Sequence, residues 1–225
     1  MTLIGRDAEL AVVRAHLHVG KSLAITGPEG VGKTALVQAA LTGSDHAVYC
    51  ADTTTLKTAC ESLPGALGHT GARADNVARK QAVLRALRGR ADTVVFDHVG
   101  RVTPKLLSLL ELLHASHPLI VVTRSLAWNE IGHLKMILWD FDRLELTNLR
   151  KADACRLVGR EADRLRLEAP NLTEFQHELW RLSRGNPRLI VDLCAQAANG
   201  RYVFGRHLSA RLLDLDRRIA KIGRS

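Results

Sequence analysis

Short apolar runs alternate with longer segments of helical period through the first two thirds of the chain. The runs fall at 22–26, 46–50, 93–97, 118–123 and 143–146, and the third is apolar until it closes on Asp97. Runs of this length, bounded by turn residues, predict strands buried on both faces. Between them, Leu10, Val13 and Leu17 give an apolar stripe to a helix opened by Asp7. Helix formers follow 34 as far as Leu41, and a further helix is expected within 55–67, with a breaker-rich loop from Pro64 to Gly71. The spacing of Val77, Leu84 and Leu87 predicts a helix over 75–88 with these residues inward. Thr103 is placed to cap a helix whose first residue is Pro104 and which runs to about His114.

Strands alternating with helices predict a parallel five-stranded sheet covered on both faces, with ligands at the strands' C-terminal ends. Past Thr147 the alternation stops. Four helical segments follow, at 150–166, 173–183, 187–199 and 206–222. In the last, Leu208, Leu212, Leu215, Ile219 and Ile222 recur at three-and-four spacing, an amphipathic pattern. The expectation is an α/β core over 1–146 and a small all-helical lid over 147–225.

One stretch fixes the chemistry. The first apolar run empties into Gly27-Pro28-Glu29-Gly30-Val31-Gly32-Lys33-Thr34, and Ala35 continues as helix. A strand, a glycine-rich loop ending in Lys-Thr, and a helix make a phosphate-binding P-loop, where backbone N–H groups converge on phosphate oxygens. Lys33 is expected to reach the terminal phosphates and Thr34 to offer its hydroxyl to Mg²⁺, with the helix dipole favouring the anion. A Gly-rich turn with an incidental lysine is the plain alternative, and the strand–loop–helix setting speaks against it. The chain is expected to bind a nucleoside triphosphate.

Asp97 closes an apolar strand downstream of that loop, where a Mg²⁺-holding carboxylate belongs, although a carboxylate there also serves as an ordinary cap. His98 follows it. A neutral imidazole accepts a proton, but its charge near neutral pH is ambiguous, so hydrolysis is expected to be slow. The fourth run ends in Thr123-Arg124, whose hydroxyl and guanidinium are suited to water and phosphate; a solvated loop arginine is the alternative. Farther on, Arg184-Gly185-Asn186-Pro187-Arg188 punctuates two helices. Arg188 puts a cation in a first helical turn, where the dipole disfavours it, and this suggests an anionic partner.

The box Leu3-Ile4-Gly5-Arg6-Asp7-Ala8-Glu9-Leu10 resembles the N-terminal box of AAA+ ATPases and their STAND relatives. With GPEGVGKT, VVFDH, VVTR and GNPRLI in the same order, the resemblance extends over nearly the whole chain. It implies ATP and Mg²⁺ as cofactors and ATP hydrolysis as the activity. It also implies that Ile4, Gly5 and Arg6 line the adenine pocket and that Asp97 is the Walker B acid. Thr123 or Arg124 would then be sensor 1 and Arg188 sensor 2, with Pro187 the lid proline near adenine. Two positions depart from the family pattern: His98 replaces the usual catalytic glutamate, and Asp140 stands where the trans-acting arginine finger is expected, Arg143 being the nearest substitute. Both departures favour a nucleotide-controlled switch over a fast motor.

Composition narrows the partners. The 225 residues carry a formal charge of +9, unusual for a metabolic enzyme and compatible with a polyanion. Basic residues gather at 73–90 and in the C-terminal segment at Arg201, Arg206, Arg211, Arg217, Arg218, Lys221 and Arg224. Double-stranded DNA held by backbone charge is therefore one expected partner; a self-oligomer and a separate effector protein are others, and solvated helix faces are the plain alternative. Aromatic residues are too few for a single-strand stacking platform. A small-molecule P-loop kinase is the competing enzyme reading, and the GNPRLI signature speaks against it. The four cysteines lack metal-ligand spacing, the N-terminus shows no signal-peptide pattern, and no apolar run reaches membrane length. A cytoplasmic setting is expected.

Overall fold

The computed structural model describes residues 3–44, 46–63, 75–90, 92–199, 202–204 and 207–222. They divide into two compact units: Met1–Glu29 with Lys33–Leu146, and Thr147–Ser225 with Gly30–Gly32.

The first unit opens with α1 (Asp7–Val19), β1 (Leu23–Thr26), α2 (Lys33–Leu41) and β2 (Ala47–Cys50). It continues through α3 (Leu56–Ser62), α4 (Asn76–Leu87), β3 (Thr93–Val99), α5 (Pro104–His114) and β4 (Leu119–Thr123). A short α6 (Trp128–Ile131) and a 3₁₀ turn (Gly132–Met136), neither of which the apolar pattern revealed, lead into β5 (Asp142–Glu145). The five strands pair in parallel in the order β2-β3-β4-β1-β5. β1 is thus an interior strand, flanked by β4 and the edge strand β5, and β4 is the middle strand of the five.

Burial explains the strand composition. Ala24, Val48, Cys50, Val94, Phe96, Leu119 and Val121 point into one core layer with α3 and the leucines Leu106, Leu109, Leu110 and Leu113 of α5. By strand alternation, Leu23, Ile25, Val95, Ile120 and Val122 face the opposite side, and all are buried. A strand apolar on both faces signals a doubly covered parallel sheet, and this explains why these runs carry no polar alternation. The thiols of Cys50 and Cys60 lie within the first layer, unpaired with one another, and burial pushes Cys50 up to about 12.

Two helical faces differ from the sequence expectation. Val77 is 62% exposed, whereas Ala82, Val83 and Leu87 are buried. At 3.6 residues per turn, Val77 stands about 120° away from Val83 around the axis. Asp75 caps α4 by accepting the Ala78 N–H. The segment 64–71, expected as a loop, lies outside the described residues.

The second unit holds α7 (Lys151–Leu165), α8 (Leu172–Ser183), α9 (Pro187–Ala197) and α10 (Ala210–Ile222). A two-strand hairpin, β6 (Val203–Phe204) with β7 (His207–Leu208), precedes the last helix. The helix expected from 206 therefore starts later, because 207–208 are committed to pairing and Leu208 is buried as a strand residue. Within α10, Leu213 is the wholly buried leucine, while Leu212, Leu215 and Ile219 are exposed. The expected stripe thus loses Leu208 to β7, and its members Leu212, Leu215 and Ile219 lie on the exposed side of the helix while Leu213 is covered. Asn186 caps α9 by accepting the Leu189 N–H, with Pro187 in the first turn, and Arg184 and Gly185 take left-handed φ of 52° and 77° to end α8. Among the described residues, no helix is long and apolar enough to cross a membrane.

Candidate functional site

The loop after β1 runs from Gly27 into α2 and carries positive φ at Gly27, Gly30 and Gly32 (146°, 77° and 99°). Gly32 has open space where a Cβ would sit, so its requirement is conformational. Gly30 needs the missing side chain for a second reason. A Cβ there would come within 2.7 Å of Asn186 Oδ1 and 2.9 Å of Arg188 Cβ, and the Arg188 backbone N–H donates to the Gly30 carbonyl at 3.1 Å. The sequence attributed this glycine to phosphate approach alone. Val31, between the two, is fully buried. Pro187 and Arg188 form the first turn of α9.

Lys33 opens α2 and folds back over the loop, donating from Nζ to the Gly27 carbonyl at 2.6 Å and the Pro28 carbonyl at 3.0 Å. Burial holds its ammonium below the usual lysine value, and the nearby Asp97 carboxylate opposes that shift. Thr34 and Ala35 follow in the same helical turn.

β3 ends against this turn. Its register with β4 slips: three steps from Phe96 to Val99 match two from Val121 to Thr123, which is a bulge at Asp97 and His98. His98 takes φ 55°, a left-handed conformation uncommon in non-glycine residues. The bulge is pinned at several points. His98 N–H donates to Asp97 Oδ1 at 2.7 Å, Tyr49 Oη donates to Asp97 Oδ2 at 2.8 Å, and Thr53 Oγ1 donates to the Asp97 carbonyl at 3.1 Å. Asp97 is only 1% exposed in its side chain, whereas His98 is 71% exposed. The His98 ring turns back so that Nε2 lies 3.3 Å from Thr34 Oγ1 and 3.8 Å from Asp97 Oδ2. Lys33, Thr34, Asp97 and His98 thus converge.

Tyr49 was not identified from the sequence, where a tyrosine in a strand reads as simple β preference. Its role depends on register: Tyr49 pairs with Val95, so it shares a face with Asp97 two residues on. Burial and the hydrogen bond to Asp97 push its phenol up to about 12.

β4 ends differently. Thr123 is buried, and its hydroxyl donates to the Ser125 carbonyl at 3.4 Å. Arg124 accepts the Gly27 N–H at its backbone carbonyl, while its guanidinium meets Glu29 at 3.3 Å in an exposed ion pair. Beside them opens a cavity of about 760 Å³ lined by Gly27, Pro28, Glu29, Arg124, Arg143 and Glu145 among others. Arg143 is therefore at this cavity, while Asp140 is exposed and faces His114 at 3.5 Å. Ile4 and Gly5 lead into α1, and the Arg6 side chain is buried and paired with Glu9 at 2.8 Å.

A parallel sheet in this order, with a glycine-rich Lys-Thr loop after an interior strand and a buried carboxylate near the end of the next strand but one, narrows the possible relatives. Residues 2–150 match the AAA ATPase domain. The chain belongs to the AAA ATPase family. Among solved structures, this AAA ATPase is similar to Cdc6p of Pyrobaculum aerophilum, at 15% identity and TM-score 0.67, with 92% of this chain and 65% of that one covered. Similarity to the Orc1 protein of Aeropyrum pernix in complex with DNA is at 16% identity and TM-score 0.69, covering 98% and 66%. A variant of Thermotoga maritima RuvB gives 16% identity and TM-score 0.65, covering 98% and 72%. These likenesses concern the fold, and the chain spans about two thirds of the length of the chains it matches. No curated protein matches it.

Proposed function

We propose that this AAA ATPase binds ATP at the loop between β1 and α2 and works as a slowly hydrolysing, nucleotide-controlled switch of the STAND type. The observation that carries the reading is the pair at the end of β3. Asp97 is buried and held from three directions, but its neighbour is an exposed imidazole and not a carboxylate. A positioned general base contributes ~10²–10⁴-fold to such reactions, and an imidazole turned onto Thr34 is poorly placed to polarise water.

The residues fit a divalent cation alongside the phosphates. Each Asp97 oxygen accepts one hydrogen bond and retains a further acceptor site, and the Thr34 hydroxyl lies against the same spot. Oxygen donors of this kind suit Mg²⁺, which neutralises phosphate charge when bound. Lys33 exchanges its two carbonyl partners for phosphate oxygens, Arg124 leaves Glu29 for the terminal phosphate, and Arg188 supplies the second sensing cation.

Single-turnover hydrolysis with protein in excess tests this reading. The rate should lie at least ~10²-fold below the ~10 s⁻¹ typical of enzymes, and limited proteolysis should distinguish the ATP-bound from the ADP-bound protein. Ordinary turnover, or identical digestion patterns, would contradict it.

A second reading has one specific observation behind it: the Orc1 protein of similar fold is in complex with DNA. In this chain, Arg85, Arg88 and Arg90 are exposed at the end of α4, Arg211 and Arg218 are exposed on α10, and the net charge is +9. Duplex DNA bound through its backbone should dissociate steeply as salt rises. Absence of binding at low salt, with and without ATP, would remove this reading.

A further inference from the structure

The bulge that ends β3 does more than displace a general base. Thr34 Oγ1, Asp97 Oδ2 and His98 Nε2 form a three-donor set, with Nε2 at 3.3 Å and 3.8 Å from the two oxygens. Metal–donor bonds of about 2.0–2.2 Å put adjacent ligands about 3 Å apart in octahedral and about 3.5 Å apart in tetrahedral sites. The 3.3 Å pair thus fits one cation as it stands, and the 3.8 Å pair has to close by a few tenths of an ångström.

Three features make this a built arrangement. His98 holds a left-handed φ of 55°, and strained backbone of this kind persists where its surroundings over-determine it. The surroundings are specific: the Thr53 hydroxyl fixes the Asp97 carbonyl, and His98's own N–H closes on Asp97 Oδ1. Tyr49 meanwhile donates to Asp97 Oδ2, a hydrogen bond that fixes the orientation of a carboxylate toward a cation.

We propose that His98 is a third protein ligand of the cation at this site, so that the site prefers a first-row transition cation such as Mn²⁺ to Mg²⁺. The inference rests on the preceding reading that phosphates and a divalent cation meet at Thr34 and Asp97, and it assigns that cation's chemical class. Mg²⁺ demands oxygen ligands and keeps its waters, whereas imidazole nitrogen suits transition metals. An imidazole so engaged has its Nε2 lone pair on the cation, which withdraws it from proton abstraction and agrees with slow turnover.

The test is pulsed electron paramagnetic resonance on the full chain with ADP and Mn²⁺. Nitrogen hyperfine coupling from a bound imidazole should appear in the wild-type complex and vanish in His98→Ala. Mg²⁺ should then displace Mn²⁺ from His98→Ala at an excess at least about tenfold lower than from the wild type. His98→Gln, which keeps a polar side chain at this exposed position, gives the same readout if alanine perturbs the bulge. Mn²⁺ that binds the wild type and is lost in Asp97→Asn, but shows no imidazole coupling, would overturn the ligand role while leaving the Thr34–Asp97 site intact. Mn²⁺ occupancy unchanged in Asp97→Asn would overturn both.

Discussion

β3 and β4 are neighbours in the sheet and end at the same loop, yet they end in opposite ways. At β3, a buried carboxylate is held by Tyr49, by the following backbone N–H and, through its carbonyl, by Thr53. At β4, the reactive side chain is exposed: Arg124 makes one ion pair with Glu29, and both partners are more than half exposed. Hydrogen bonds to a charged group contribute about 1.5–3 kcal/mol each, whereas an exposed pair contributes about 0–1 kcal/mol. The first end is pre-organised before any ligand arrives. The second can change partners at little cost, which the phosphate-sensing role proposed for Arg124 requires.

Substitutions can break this contrast at either end. The largest effect is expected from Phe96→Ala, because Phe96 is fully buried one residue before Asp97. Loss of that ring should destabilise the protein by about 3–5 kcal/mol in denaturant unfolding. A loss below about 1 kcal/mol would mean the core does not support the end of β3.

Tyr49→Phe comes next. It removes one hydrogen bond from a buried carboxylate and should cost about 1.5–3 kcal/mol by the same measurement. An unchanged midpoint would show that Asp97 is not held from β2.

The smallest effect belongs to β4. Arg124→Ala, Glu29→Gln and the double variant should each lie within about 1 kcal/mol of the wild type, with a coupling energy no larger. A coupling of several kcal/mol would make the β4 end as fixed as its neighbour and remove the contrast.

Much of this was legible in the sequence where a single local signal sufficed. The loop from Gly27 to Thr34 announces itself by glycine and lysine spacing, and the doubly buried strands by unbroken apolar runs. What could not be read locally depends on register or on which neighbour covers a face. Tyr49 reaches Asp97 only because β2 pairs with β3 so that Tyr49 stands opposite Val95. The left-handed turn at His98 follows from a bulge that leaves no trace in composition. Val77, Leu212 and Leu215 look like core residues by type and spacing, but among the described residues no packed layer covers them. Gly30 looked like a phosphate-contact residue, and its close neighbours turned out to be Asn186 and Arg188, more than 150 residues later.

The central claim is that ATP binds at the β1–α2 loop, and Lys33 tests it most directly because its ammonium already rests on that loop's carbonyls. Calorimetric titration of Mg²⁺–ATP into the wild type and Lys33→Ala, with circular dichroism to confirm that both are folded, is the measurement. Loss of one or two charge-assisted contacts of about 1.5–3 kcal/mol each should weaken binding by at least about tenfold. Equal affinity in the two folded proteins would contradict the account.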